Sequence, residues 1–388
     1  MATLQASLFT RAQTLARIRP ALLWRFLERF RDYFEHCGLG WGGAPDTDEI
    51  SRILMNPGPD TPRGLTEALF CIKEMAVPAA EDILMDEARQ RGISPEEGLT
   101  RMELALRLWL EDSESLMGRH AELAMLRVRS FEYFSSIEDD EPNEPTERTL
   151  RSLEHALDIF FQERGQGPGT RVQVYPRLNE IWFLICHGEL YRREATLENG
   201  ERGSVTFRPQ TYDLVVYNQL TKELGINART EKLRSEYRKQ FGYYLFGRDH
   251  YFGGAGKYSL EPLREMGEAA LNVTDVPGLQ WVRLTEIQYT EKKVVEELTV
   301  RKAVNLFENF RYAENGISEK WNLKRASFRI RFDDNPTPRT VTLKPSNVAL
   351  YSRDEDAVVV EEWLGRRGFI EKGQTYGSKQ NEFRFSVY

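Results

Sequence analysis

Over the first 164 residues, hydrophobic positions recur every three or four residues, as in helices that bury one stripe. The clearest stretch is PALLWRFLERFRDYFEHCGL, where Leu23, Phe26, Leu27, Phe30 and Phe34 line one face. Pro20 falls in the first turn, which tolerates a missing N–H, and Gly38 stops the helix. The same spacing predicts helices over 65–76, 79–91, 101–112, 115–126 and 147–163, with Ser94 and Thr100 as hydroxyl caps.

Beyond Gly169 the period falls to two. RVQVYP, EIWFLICH, LYRREAT, SVTFRP, DLVVYN and ELGINA are short, β-rich and separated by turn residues, which predicts an antiparallel meander. EKLRSEYRKQFGYYLF reads as one helix, and residues 281–368 run strand, strand, helix twice over. The fold class expected is α+β. Its parts are a helical domain over 1–137; an acidic linker (EDDEPNEP), helix and glycine-rich hinge (GQGPG) over 138–170; a β meander plus helix over 171–255; strand-strand-helix units over 256–373; and a polar tail over 374–388.

Charge sharpens this division. The net −7 of the 388 residues comprises −11 over 1–170, +1 over 171–279 and +3 over 280–388, so the acidic half is a poor surface for nucleic acid. That half is expected to meet another protein subunit instead. Three distant cysteines, Cys37, Cys71 and Cys186, suggest reduced thiols and a cytoplasmic protein. No apolar run approaches the roughly 18 residues of a membrane span. Arg11, Arg17, Arg19 and Arg25 without acids resemble a transit peptide, but Leu4, Leu8, Leu15 and Ile18 at helical spacing read as a first helix.

Several motifs invite chemistry. YFGGAGKYSLEPL ends its glycines in Gly256-Lys257, like a phosphate-binding loop. Such a loop needs a first glycine where Tyr251 stands and a magnesium-binding hydroxyl where Tyr258 stands, so a connection is expected. The His-x-Glu at His187 lacks the paired cysteines of a zinc deaminase, and no Gly-x-Ser-x-Gly elbow is present. Cys186, among apolar neighbours, reads as an inert thiol. A divalent-metal nuclease would set one carboxylate at a strand start and Glu-x-Lys on the next strand. Asp213 opens DLVVYN, but Asn227-Ala-Arg229 replaces Glu-x-Lys, leaving Glu223 as the substitute ligand for Mg²⁺ or Mn²⁺.

The strand NLKRASFRIRF is the stronger candidate. Alternation places Lys324, Ala326, Phe328, Ile330 and Phe332 on one face, a core face except for Lys324 at its edge, and Arg325, Ser327, Arg329 and Arg331 on the other. Arginines about 7 Å apart suit a phosphate backbone. Arg339 or Lys344 of RTVTLKP extends the ladder, depending on register. No aromatic residue interleaves with these arginines, which argues against base stacking. The function expected is a non-enzymatic interaction or regulatory subunit with no cofactor, contacting DNA or RNA through this strand. A place in a bacterial multi-gene system such as phage defence fits a large chain without an evident active site. The alternative is the nuclease, or its non-cutting relative, centred on Asp213.

Overall fold

The structure is a computed structural model that describes residues 11–58, 60–93, 98–136, 138, 140–177, 179–198, 200–254, 256–291, 297–313, 316–352 and 357–371. The expected cap at Ser94 and the tail over 374–388 lie outside the described residues. The chain is mixed α+β and falls into two compact units that divide between Arg127 and Val128.

The first unit is helical: α1 (Ala12–Leu15), α2 (Pro20–Glu28), α3 (Arg31–His36), α4 (Thr47–Met55), α5 (Arg63–Met75), α6 (Glu81–Gln90), α7 (Arg101–Glu111) and α8 (Ser113–Leu126). Leu23, Phe26, Leu27 and Phe34 of the expected stripe are buried, with Phe26 edge-on to Trp109 of α7. The single helix expected up to Gly38 nevertheless breaks after Glu28, and Phe30, half-buried, is the N-cap residue of α3. Thr100 caps α7 reciprocally: its hydroxyl accepts from the Glu103 N–H, and the Glu103 carboxylate accepts from the Thr100 N–H.

The second unit is built on one antiparallel sheet. Its elements are β1 (Ser130–Ser135), α9 (Glu147–Gln162), β2 (Arg171–Pro176), β3 (Glu180–Gly188), β4 (Arg192–Glu198), β5 (Glu201–Phe207), β6 (Gln210–Asn218), β7 (Glu223–Asn227), α10 (Glu231–Phe246), α11 (Glu261–Glu265), β8 (Leu279–Glu291), β9 (Glu297–Lys302), α12 (Leu306–Tyr312), β10 (Trp321–Phe332), β11 (Arg339–Lys344), β12 (Val348–Leu350) and α13 (Ala357–Arg366). Ten strands follow the order β2-β3-β6-β7-β1-β12-β11-β10-β8-β9, while β4 and β5 form a separate hairpin. The meander is therefore interrupted, and β3 pairs directly with β6.

Two features depart from the sequence reading. SFEYFS, read as part of the helical domain, is β1, and it joins the two halves of the sheet by pairing with β7 on one side and β12 on the other. The acidic stretch read as a linker is pinned within the second unit: Arg248 holds Glu138 and Asp140, and Lys222 holds Glu141 at 2.8 Å. These opposite charges tie the stretch to α10's end and to the turn before β7.

One face of the sheet carries α9 and α10, with Phe161, Ile185, Val215, Tyr217, Ile226 and Phe241 at its core. The other face carries α13, whose Trp363 meets Phe328 of β10 with ring centroids 5.3 Å apart. Gly225 lies on this second face, where a Cβ would come within 3.1 Å of the Tyr133 ring; its bare backbone lets the aromatic residues of β1 lie flat.

Candidate nucleic-acid interface

The register of β8, β10 and β11 decides which side chains share the outer face. Arg329 stands directly opposite Arg283 of β8 and Thr340 of β11; Ser327 stands opposite Glu286 and Thr342; Arg331 stands opposite Trp281. Arg325, opposite Gln288, completes the row. Phe328, Ile330 and Ala326 are fully buried on the reverse face, as alternation requires. Lys324 is the extra residue of a bulge between Leu323 and Arg325, which resets the alternation and lets Leu323 join the core.

The ladder runs on through Lys344, not Arg339. Lys344 shares the face of Thr340 and Thr342, whereas Arg339 stands opposite the core residue Ile330. There its guanidinium lies 4.9 Å from the centroid of Phe332 and 3.8 Å from Asp334.

Arg283, Glu286, Arg325, Ser327, Arg329 and Thr342 are among the residues that line an open groove of ≈ 470 Å³. Its floor is hydroxylic: Ser327 and Thr342 are buried and their oxygens lie 2.9 Å apart. Its rim carries Arg283, Arg325 and Arg329, with Glu286 the one acid among the described residues that line it. Glu286 is already engaged, 3.0 Å from Lys302 and 3.7 Å from Arg325. Burial opposes its charge, but the hydrogen bonds from Lys302 and Gln288 and the field of Arg325 prevail and hold it below the usual carboxyl range. Neither Arg283 nor Arg329 has a hydrogen-bond or ion-pair partner among the described residues; Arg283 lies over Trp281, 4.4 Å from its centroid. Like charges directly opposite on adjacent strands repel. An anion laid between them reverses that cost.

Arg283 and Trp281 were missed in the sequence. WVRLTEIQYT reads as a strand, but only the pairing shows that its outer residues meet those of β10. Trp281 also corrects the expectation that no aromatic residue adjoins the arginines, although Arg283 covers its ring.

The metal-site residues lie apart. Asp213 points to the α10 face, where one carboxylate oxygen, Oδ2, receives the Tyr237 hydroxyl at 2.8 Å and lies 2.9 Å from His187 Nε2. Phe161 stacks on the His187 ring at 4.1 Å, and the His187 Nδ1 meets the Gly188 carbonyl at 2.9 Å. Burial first, then the Asp213 charge, raises the Tyr237 hydroxyl well above its ordinary value, so it stays a donor. Glu223 lies on the opposite face: Tyr217 pairs with Leu224 and Val215 with Ile226, which leaves Glu223 and Gly225 turned away from Asp213. No three His, Cys, Asp or Glu side chains among the described residues are grouped to hold a metal ion.

Glu223 is held by the lysine of the glycine-rich stretch. Lys257 Nζ lies 2.6 Å from its Oε2, with each side chain only 3% exposed, and 4.1 Å from the centroid of Tyr133. Gly256 (φ +103°) turns the chain inward, and its N–H donates to Asn347. The Gly-Lys pair thus fastens a strap to the sheet. The pocket beside it, ≈ 20 Å³, has room for about one water and not for a nucleotide. Two of the thiols are equally quiet: burial pushes Cys71 up to about 12 and raises Cys186.

No protein-family model matches the chain, and comparison with curated proteins finds no match. Among the described residues, no helix is long and apolar enough to cross a membrane.

Proposed function

We propose that this protein is a non-enzymatic interaction subunit that holds the phosphate backbone of DNA or RNA in the groove of β8, β10 and β11. The carrying observation is the facing pair Arg283 and Arg329, which have no acidic partner among the described residues and stand over a hydroxyl floor. Guanidinium forks and hydroxyls are phosphate ligands, and a row from Lys344 past Arg329 to Arg331 follows a polymer better than a single small anion. With Trp281 beneath Arg283, the site reads backbone rather than stacked bases. The acidic helical unit supplies the contact to a protein partner, where Phe70 and Met117 stand exposed. Free Cys37, Cys71 and Cys186 suit the reducing cytoplasm.

Fluorescence anisotropy of labelled duplex and single strands at about 50 and 200 mM salt tests this reading. Neutralising about four phosphates weakens duplex binding roughly a hundredfold over that range. Arg283→Glu with Arg329→Glu abolishes the binding while the fold, followed by circular dichroism, persists. Absence of binding at low salt, or binding indifferent to both substitutions, overturns the assignment. Strands shortened in Mg²⁺ or Mn²⁺, and left intact by Asp213→Ala, would instead revive the nuclease.

A further inference from the structure

The two edges of the ten-stranded sheet are built differently. At β2 the edge is guarded: the Val172 N–H donates to Glu154 of α9 at 2.8 Å, the Thr170 N–H to Asp158 at 2.8 Å, and Pro176 brings no N–H at all. At β9 no further strand pairs among the described residues, and Leu298 and Val300 stand 58% and 45% exposed. An open, partly apolar edge strand is a template for another strand.

The order of residues in ELTVR says which strand fits. When an edge strand meets its own copy about a two-fold axis normal to the sheet, the strands run antiparallel and only residues of the same face stand opposite one another. An axis through Thr299 sets Leu298 opposite Val300 of the second copy and Glu297 opposite Arg301 of the second copy. The two-fold repeats both pairs, and Thr299 meets its own equivalent. Each is a favourable cross-strand combination: aliphatic with aliphatic, acid with base, threonine with threonine. Shifting the axis to Val300 would instead set Leu298 against Lys302 and Thr299 against Arg301. Within its own chain Arg301 has no hydrogen-bond or ion-pair partner among the described residues; it lies over Trp321, 4.8 Å from the ring centroid. A carboxylate from a second copy supplies one.

We propose that β9 pairs antiparallel with β9 of a second copy of this chain, about a two-fold axis at Thr299, and joins two sheets into one continuous sheet. This inference stands on the edge strand alone and does not require the nucleic-acid reading.

Sedimentation equilibrium of the full chain over a concentration series tests it. The expected result is a dimer, with self-association weakened about tenfold or more by Leu298→Lys with Val300→Lys. Charge exchange tests the register. Glu297→Arg and Arg301→Glu are each monomeric alone, because like charges then face across the axis. Mixed in equal amounts they associate, because each arginine then meets a glutamate. Should the double lysine variant fail to fold, as judged by circular dichroism, this exchange decides the matter by itself. A wild-type chain that stays monomeric up to its solubility limit overturns the proposal. So does a dimer indifferent to these substitutions, or a mixture that fails to associate.

Discussion

Lys257 and Glu223 are ions that water scarcely reaches, each side chain 3% exposed and their charged atoms 2.6 Å apart. Taking such a pair out of water offsets much of its attraction, so the pair itself contributes little net stability. Removing one member is another matter, since it strands the other charge. Lys257→Met is therefore expected to destabilise the sheet unit by about 3–5 kcal/mol, and Lys257→Met with Glu223→Met to recover most of the loss. Urea titration followed by tryptophan fluorescence measures both. Equal destabilisation by the single and double variants would show that the strap is held by its backbone bonds, not by the pair. The residue types were plain in the sequence, but the partner of Lys257 was not. A loop lysine reaches a strand-end carboxylate 34 residues away only because the chain folds back across β7.

Helices meet through charge as well as apolar stripes. Glu87 of α6, almost wholly buried, receives Arg91 just past the end of its helix and Ser115 and Arg119 of α8, the last at 2.8 Å. Burial disfavours its charge, yet the bonds from Ser115, Arg91 and Arg119 outweigh that and pull the carboxyl from its ordinary 4.5 down to about 2. A depressed carboxyl stabilises the fold fully above its unfolded value; the contribution declines below about 4.5 and is gone below about 2. It amounts to roughly 3 kcal/mol. Glu87→Gln should remove it at pH 7, and the gap between variant and wild type should narrow steadily as pH falls from 5 to 2. Urea midpoints across that range check the sign; a gap that widens would show that burial governs Glu87. At this scale the long periodic elements were well read, α7, α9 and α10 to within a residue or two. The strand β1 was not, because six residues carry no period of their own and become a strand only through β7 and β12.

In the assembly proposed for β9, the outer faces of two copies lie on the same side of one continuous sheet. Five strand spacings of about 4.8 Å put the two β10 strands, and so the two arginine grooves, about 24 Å apart. A duplex of roughly seven base pairs, at about 3.4 Å each, covers that distance. Longer duplexes should therefore bind more tightly than the number of sites alone explains, since the second groove acts at high effective concentration. Comparing duplexes shorter and longer than this span, for wild type and for Leu298→Lys with Val300→Lys, separates the two proposals. The variant should keep binding the short duplex and lose only the gain with length. A gain with length that survives the variant would place the second contact elsewhere. By itself the sequence determined the order and kind of the long elements, the buried stripe of α2 and the two faces of β10, because periodicity is a local property of burial. Tertiary structure decided that Arg283 joins Arg329, that Lys344 and not Arg339 extends the ladder, and that Asp213 and Glu223 lie on opposite faces. The reason is register: one step of strand pairing turns every side chain to the other face, and nothing local in the chain records that step.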